Sequence, residues 1–259
     1  MLGRLLGWGK TGGEGPLPAY TIPENTRVYA IGDIHGCADL LISLLKQIEH
    51  DAKGFSGTIT LITLGDYINR GPDSKGVLKL LRALPQRFNP VFLRGNHEVE
   101  LLSFLDKPEA YAHWLGWGGL ETCASYGIAP YGARGTRSAG TLAAELELAM
   151  AETGDLAWLK NTLFKHTLGS YGFVHAGVRP KVPFEAQSEY DLVMIREDWI
   201  NRPHGLPLKI VFGHTIFPEP LITPDRIGID TGAYDSGVLT AVVLEGDEMR
   251  FLSTPRNLK

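Results

Sequence analysis

Side chains of the kinds that bind divalent metal ions recur along this sequence, each in a short motif that contains glycine. The motifs are GDIHG at residues 32–36, GDYINRGP at 65–72, RGNHE at 94–98, HAG at 175–177 and GHT at 213–215. Mixed carboxylate, imidazole and amide ligands suit manganese, iron or zinc ions better than a thiolate site would. Six ligands are too many for one tetrahedral ion, but they suit two ions that share a carboxylate and leave positions open for water. The six residues are Asp33, His35, Asp66, Asn96, His175 and His214.

The first three motifs each follow a short apolar run that is typical of a buried strand. These runs are residues 27–31, 58–64 and 90–93, and helical patterns at 39–50 and 74–84 lie between them. This alternation predicts parallel strands joined by right-handed crossovers. Open α/β sheets bind ligands at the carboxyl ends of their strands, where glycine lets the backbone turn sharply. We therefore expect the polar groups to gather over one edge of the sheet.

Local details follow from the same patterns. Asp33 and His35 are two residues apart, so on an extended segment they should face the same way. Ser74 is the expected N-cap of the second helix. The remainder of the chain predicts a mainly helical region at about 99–166 and then a second, more antiparallel sheet. Helical patterns occupy 141–155 and 155–164, a loop-rich stretch occupies 114–127, and strands are expected within 170–177, 209–215, 226–233, 238–246 and 248–253.

Size and composition restrict the class of protein. The chain has 259 residues, of which 44% are hydrophobic, and a formal net charge of −4 without a long basic block, which argues against a nucleic-acid surface. Cys37 and Cys123 are too far apart in sequence to suggest a disulfide framework, so we expect a cytoplasmic protein. No run approaches the roughly 18 apolar residues of a membrane span. We expect one domain over residues 26–254, preceded by a flexible arm at 1–25 that is rich in glycine and proline.

The ordered set of five motifs resembles the calcineurin-like metallophosphoesterases and, more narrowly, the bacterial branch of the phosphoprotein phosphatase family. The resemblance runs from Arg27 to about Leu244. It implies an α/β fold in which two mixed β-sheets pack as a sandwich flanked by helices. It also implies two divalent metal ions, with manganese favoured and iron or zinc as alternatives. Such a pair of ions, roughly 3.5–4 Å apart, activates a hydroxide that attacks a phosphate ester in line with the leaving oxygen.

The resemblance also implies a role for each metal ligand. Asp33 and His35 would bind the first ion, and Asp66 would bridge the two ions. The second ion would be bound by Asn96, His175 and His214.

Four residues would act on the substrate, again by resemblance. Arg70 and Arg196 would bind the substrate phosphate together with Asn96 and His97. Arginine suits this task because its planar fork matches phosphate oxygens and stays charged. His97 would donate a proton to the leaving oxygen, and a positioned acid of this kind contributes roughly 10²–10⁴-fold.

Position 69 departs from the family pattern, which expects aspartate where this chain has Asn69. The expected carboxylate would accept a hydrogen bond from His97 and favour its charged form. Asn69 can accept that bond through its carbonyl oxygen, but it brings no charge. We therefore expect a slower chemical step and an intact metal site. Asn69 is either the natural residue or a deliberate replacement of aspartate.

Several further residues have structural interpretations. We expect Arg94 to be structural and Glu98 to cap or brace its loop. Asp230 either orients a metal ligand or forms a turn. Packing is expected for Cys37, Trp114, Trp117 and Trp199, and a surface position for His50, His113, His166 and His204.

Three functions remain open on the sequence. The leading one is a serine/threonine protein phosphatase. The second keeps the metal ions and hydrolyses dinucleoside polyphosphates, with the helical region shaping the wall of the pocket that selects the leaving group. The third is a weakly active protein that binds phosphorylated partners. The sequence predicts no membrane or nucleic-acid partner and leaves the oligomeric state open.

Overall fold

Two five-stranded β-sheets form the framework of the computed structural model, which describes residues 20–132 and 135–255. The first sheet has the strand order β12-β11-β1-β2-β3. Strands β1, β2 and β3 are parallel, as the alternation of strands and helices predicts, whereas β11 runs antiparallel to β1, and β12 runs antiparallel to β11. The bounds are β1 Thr26–Ile31, β2 Thr58–Thr63, β3 Pro90–Phe92, β11 Thr240–Glu245 and β12 Glu248–Ser253.

The second sheet has the order β6-β7-β8-β10-β9 and is mixed. Strands β7, β8 and β10 are parallel, whereas β6 and β9 are antiparallel edge strands. The prediction that the strands at 238–246 and 248–253 belong to this sheet is wrong, because the first of them pairs with β1 in the first sheet. The bounds are β6 Lys165–Leu168, β7 Tyr171–Val174, β8 Lys209–Phe212, β9 Leu221–Ile222 and β10 Arg226–Gly228.

The two sheets pack face to face over an apolar layer that contains Val28, Ile62, Phe173 and Val211. Helices cover the outer face of each sheet, so the strands are buried on both faces, which explains their continuous apolar runs. The predicted α/β sandwich of two mixed sheets flanked by helices is confirmed. A short hairpin of β4 Tyr131–Gly132 and β5 Gly135–Thr136 lies apart from both sheets.

The helices confirm most of the expected pattern. Helices α1 and α2 lie close to the predicted ranges, but α2 is capped by Asp73, whose side chain accepts the amide of Gly76 at 2.8 Å. The stretch 114–127, expected to be loop-rich, is largely helical. The bounds are α1 Ala38–Asp51, α2 Ser74–Arg82, α3 Asn96–Asp106, a π-helical turn Leu115–Gly119, α4 Leu120–Ser125, α5 Ala139–Thr153, α6 Asp155–Lys160, α7 Glu189–Met194, α8 Glu197–Ile200 and α9 Ala233–Ser236.

The predicted arm at residues 1–25 lies mostly outside the described residues. Its last part packs on the domain: Ile22 is buried, and its amide donates to the carbonyl of Gly246 at 2.8 Å. Within residues 20–132 and 135–255, no helix is both long enough and apolar enough to cross a membrane.

Candidate metal centre

The predicted metal ligands meet at the carboxyl ends of strands from both sheets. Asp33 and His35 follow β1, Asp66 follows β2, and Asn96 begins α3 after β3. The second sheet supplies the other two, one after β7 and one after β8. All six side chains are buried: Asp33, His35, Asp66, Asn96, His175 and His214.

The carboxylate of Asp66 lies between two groups of potential ligands. Its Oδ2 atom is 3.5 Å from Nε2 of His35 on one side and 3.5 Å from Nε2 of His175 on the other. His97 joins the first group and His214 the second, and within each group the ligand atoms lie within 4.8 Å of one another. Asp66 is the member that the two groups share, which is the place expected for a bridging carboxylate.

Backbone carbonyls determine how two of the imidazoles are presented. Nδ1 of His35 is 2.9 Å from the carbonyl oxygen of Ile68, and Nδ1 of His175 is 2.9 Å from that of Leu64. A carbonyl only accepts, so each Nδ1 carries the hydrogen and each Nε2 presents a lone pair. These lone pairs face the acceptor oxygen of Asp66 with no hydrogen between them. A cation satisfies such facing acceptors, so the residues fit a bound metal ion.

The second group shows the same convergence of acceptors. Oδ1 of Asn96 lies 3.0 Å from Nε2 of His175 and 2.9 Å from Nδ1 of His214, and the two ring nitrogens are 3.2 Å apart. The other nitrogen of His214 is buried without a hydrogen-bond partner in the described part of the chain. One hydrogen atom cannot satisfy three mutually close acceptors, whereas a cation can.

Two further carboxyl groups, those of Asp33 and Asp230, lie near Asp66 in the site. Burial raises the pKa of Asp33 well above its usual value, and the carboxylates of Asp230 and Asp66 raise it further. Both oxygens of Asp33 accept the backbone amide of His214, at 3.1 and 3.0 Å. Asp230 accepts the amide of Gly232 at 2.8 Å, as expected of a residue that forms a turn.

The backbone of the site is left-handed at several residues that are not glycine. His35 has a φ of 45°, Asp66 of 50° and His214 of 61°. The expectation of an extended segment at 33–35 is therefore wrong at His35, where a sharp turn directs the imidazole toward Asp66. Such conformations are uncommon for residues with a Cβ and cluster at functional sites.

Glycine is required where the backbone passes the carboxylate ligands. A Cβ on Gly213 would lie 2.0 Å from Oδ1 of Asp33, and a Cβ on Gly95 would lie 2.1 Å from Oδ1 of Asp66. These contacts give a steric reason for two of the glycines in the motifs.

Glu98 braces the loop that carries Asp66, as expected. Its Oε2 accepts the amides of Asp66 at 2.8 Å and Gly95 at 2.9 Å, and its Oε1 accepts that of Tyr67 at 2.8 Å. Burial raises the pKa of this carboxyl to about 8, with a further contribution from Asp66, while the three amides oppose the shift. The side chain therefore holds the Asp66 turn in place.

The contact between Asn69 and His97 has the opposite polarity to the expected one. Nδ2 of Asn69 is 2.7 Å from Nδ1 of His97, and its Oδ1 accepts a hydrogen bond from the hydroxyl of Thr122 at 2.7 Å. The expectation that Asn69 accepts from His97 is not met in the structure, because the amide nitrogen rather than the carbonyl oxygen of Asn69 faces the ring. Burial lowers the pKa of His97 to about 4.

The charges of the two predicted phosphate-binding arginines act on different groups of ligands. Arg70 is exposed, with its guanidinium 5.1 Å from the ring centre of Tyr234, and its charge helps to lower the pKa of His97. Burial is the main cause of the lowered pKa of His175 and of His214, and the charge of Arg196 contributes to both shifts. Nη1 of Arg70 lies 3.5 Å from the hydroxyl of Tyr234, whose ring packs edge-on against that of His35, so Arg70 lies beside the first group.

Other expectations have mixed outcomes. Arg94 is structural, as expected, because it donates to carbonyls at the end of α6. His204 is buried rather than on the surface, with Nε2 3.0 Å from the carbonyl oxygen of Asp225. Trp117 is 40% exposed rather than packed in the core. Sequence reasoning did not identify Thr122 as a site residue. Thr122 contacts Asn69, which lies 53 positions earlier in the chain, and no local pattern marks such a contact. Trp114 and Trp199 are fully buried, His50 and His113 are exposed, and His166 is half-buried.

Comparisons with known proteins agree with this geometry. The model of the family described as calcineurin-like phosphoesterase matches residues 26–227. The serine/threonine-protein phosphatase 1 of Salmonella typhimurium is 30% identical over 82% of this chain and 89% of its own length. The asymmetrical bis(5'-nucleosyl)-tetraphosphatase of Oceanobacillus iheyensis is 28% identical over 83% of this chain and 87% of its own length.

A solved structure supports the fold. The crystal structure titled as a putative diadenosine tetraphosphatase aligns with a TM-score of 0.59 at 23% identity, and the match covers 92% of this chain and 100% of the other. At this level of identity the likeness concerns the fold alone.

Proposed function

This chain belongs to the calcineurin-like phosphoesterase family and hydrolyses phosphoric esters, and we propose that its substrates are phosphoserine and phosphothreonine side chains in proteins. The observation that carries the proposal is the position of Asp66, which is shared by two ligand groups, with Arg70 beside the first of them. The similarity to a bacterial serine/threonine phosphatase over 89% of that protein supports the substrate class.

The metal site is proposed to hold two divalent ions, manganese first, with iron or zinc as alternatives. Bound there, the ions would supply Lewis-acid activation of a water molecule and of the phosphoryl group. Glu98 and the carbonyls of Ile68 and Leu64 hold the ligands in their binding orientation before any ion arrives. Asp33 and His35 are assigned to one ion, Asn96, His175 and His214 to the other, and Asp66 to both.

The remaining site residues act on the substrate in this proposal. Arg70 and Arg196 bind non-bridging phosphate oxygens through charge-assisted hydrogen bonds. The side-chain amide of Asn96 also binds the phosphate. His97 donates a hydrogen bond from Nε2 to the leaving oxygen. The exposure of Arg70 suits a phosphorylated side chain that is presented on the surface of a larger molecule.

A second candidate is the hydrolysis of dinucleoside polyphosphates, and the contact of Asn69 with His97 favours it. The amide donates to the ring and brings no negative charge that would help the ring hold a second proton. A leaving phosphate is stable as an anion and depends less on a proton than a serine or threonine alkoxide does. The similarity to a bis(5'-nucleosyl)-tetraphosphatase over 87% of its length agrees with this candidate.

One set of assays separates these functions. The protein is first tested for manganese-dependent hydrolysis of para-nitrophenyl phosphate, with a chelator and the Asp66→Asn variant as negative controls. Phosphoserine and phosphothreonine peptides are then compared with diadenosine tetraphosphate at equal concentrations. A higher kcat/KM for the peptides supports the protein phosphatase, and a higher kcat/KM for the dinucleotide supports the second candidate. The absence of any metal-dependent turnover would overturn the proposal. It would favour the third function, a protein that binds phosphorylated partners.

A further inference from the structure

A series of hydrogen-bonding groups connects two helices to the ring of His97. The hydroxyl of Ser74, at the start of α2, is 3.1 Å from that of Thr122 on α4. Thr122 Oγ1 is 2.7 Å from Oδ1 of Asn69, and Nδ2 of Asn69 is 2.7 Å from Nδ1 of His97. Ser74, Thr122 and Asn69 are fully buried, and His97 is 5% exposed, so bulk water does not compete for these contacts.

The number of available hydrogens determines the direction of each bond. Oδ1 of Asn69 has no hydrogen, so Thr122 must donate to it. Because the hydroxyl of Thr122 has a single hydrogen, its contact with Ser74 requires Ser74 to donate. The backbone amide of Asn69 also donates to Thr122 at 3.0 Å, which fills both acceptor positions of that oxygen. The side-chain amide group of Asn69 is then the donor that faces His97.

We propose that Thr122 is a positioning residue, which orients the amide of Asn69 so that the ring of His97 must accept at Nδ1 and carry its hydrogen on Nε2. That nitrogen faces the proposed metal site, 3.9 Å from Oδ2 of Asp66. The placement of the hydrogen rests on geometry alone, and only its kinetic consequence rests on the proposed function. An aspartate at position 69 would reverse the last bond, because both of its oxygens accept.

The placement predicts how the leaving group departs. A hydroxide oxygen forms a new bond to phosphorus while the P–O bond to the leaving oxygen breaks. The electron pair of the broken bond goes to the leaving oxygen, where the hydrogen bond from Nε2 stabilises the negative charge. The hydrogen stays on His97, and the departed anion takes a proton from solvent water. Leaving groups that are stable as anions, such as aryl oxides and phosphates, are therefore favoured over alkoxides.

The position of the hydrogen is measured directly by NMR of protein that is labelled with ¹⁵N-histidine and loaded with diamagnetic zinc. The signals of His97 are identified by their absence in the His97→Gln variant. We expect an unprotonated Nδ1 and a protonated Nε2 in the wild type and in Thr122→Ser, which keeps the hydroxyl. Thr122→Val removes the donor to Asn69, so a second population with the hydrogen on Nδ1 should appear.

Two results would overturn the inference: a protonated Nδ1 in the wild-type protein, or an unchanged pattern in Thr122→Val. Thr141→Val serves as the matched control, since Thr141 is exposed on α5 and should leave the pattern unchanged. If Thr122→Val does not fold, Asn69→Asp still tests the geometry, because an aspartate only accepts and Nδ1 must then carry a hydrogen, whether or not Nε2 keeps its own. The wild-type pattern in that variant would contradict us as well.

Kinetics test the consequence for the leaving group. Restoring the carboxylate in Asn69→Asp should raise kcat for phenyl phosphate by roughly 10²-fold, the lower limit for a positioned acid, and should change kcat for para-nitrophenyl phosphate little. Equal effects on both esters would refute the consequence. Failure of the wild type to hydrolyse either ester would refute the proposed function and leave the NMR result standing.

Discussion

Replacement of Glu98 by alanine should destabilise the protein more than any loss of surface charge can explain. The carboxylate accepts three backbone amides, from Asp66, Tyr67 and Gly95, and it is fully buried. In Glu98→Ala these amides lose their acceptor, and each buried unsatisfied group costs about 1–3 kcal/mol. Water that enters the new cavity offsets part of the loss. We expect the free energy of unfolding to fall by about 4 kcal/mol.

The Glu98→Gln variant tests which part of this loss comes from the acceptors. Its carbonyl oxygen can keep the amides of Asp66 and Gly95, but its NH₂ group then faces the amide of Tyr67. One acceptor is lost instead of three, so the expected decrease is about 1–3 kcal/mol. Glu100→Ala is the matched control on the same helix, because Glu100 pairs with the exposed His113 and should contribute less than about 1 kcal/mol.

Urea denaturation followed by circular dichroism measures these differences. A chelator is included so that altered metal affinity does not enter the free energy of unfolding. A pH of about 7 lies below the raised pKa of about 8 and keeps the Glu98 carboxyl mostly uncharged, so the cost of burying its charge does not offset the lost hydrogen bonds. The reasoning is refuted if Glu98→Ala loses less than about 1 kcal/mol, or if the glutamine variant is as unstable as the alanine variant.

Three further predictions concern metal binding, substrate binding and acid stability. Gly213→Ala places a Cβ against Asp33, so the affinity for manganese should fall about 10–100-fold. Calorimetry measures this affinity, and an unchanged value would contradict the steric argument. Arg70→Ala should lower kcat/KM for para-nitrophenyl phosphate by roughly 10–100-fold. The value for Arg70→Lys should lie between those of the wild type and Arg70→Ala, because an ammonium lacks the two-pronged guanidinium. Equal values for the two variants would argue against bidentate binding. Burial raises the pKa of Asp225, but the guanidinium of Arg226 outweighs this effect and holds the pKa below its usual value. The pair therefore stabilises the fold above about pH 4 and loses this contribution in acid. Asp225→Asn should therefore lower Tm at pH 7 and approach the wild type near pH 2; a constant difference across this range would be inconsistent with the shift.

The features that sequence reasoning predicted are those with strong local patterns. Strands β1, β2 and β3 have continuous apolar runs, each followed by a glycine motif, and their parallel pairing brings Asp33, Asp66 and Asn96 to one edge. The sandwich is implied by the family resemblance that the ordered motifs carry. Each motif is a short run of neighbouring residues.

The features that sequence reasoning missed depend on contacts between distant segments. The polarity of the bond between Asn69 and His97 is determined by Thr122, which lies in a stretch expected to be loop. The pairing of β11 with β1 joins residues more than 200 positions apart, and nothing in its apolar pattern distinguishes one sheet from the other. The left-handed turn at His35 has no local mark, because the residue that adopts it is not glycine.

The ligands of the proposed metal site come from both sheets, and this division has a consequence for the breathing motions of the protein. Ions held between Asp66 after β2 and the histidines after β7 and β8 would cross-link the two halves of the sandwich at one end. Removal of the ions should accelerate amide hydrogen–deuterium exchange in the loops after β7 and β8, and leave β12, at the far edge of the first sheet, unaffected. The bound ions would then cross-link the two sheets reversibly at that end. The concentration of available cations would determine how often the sheets separate there.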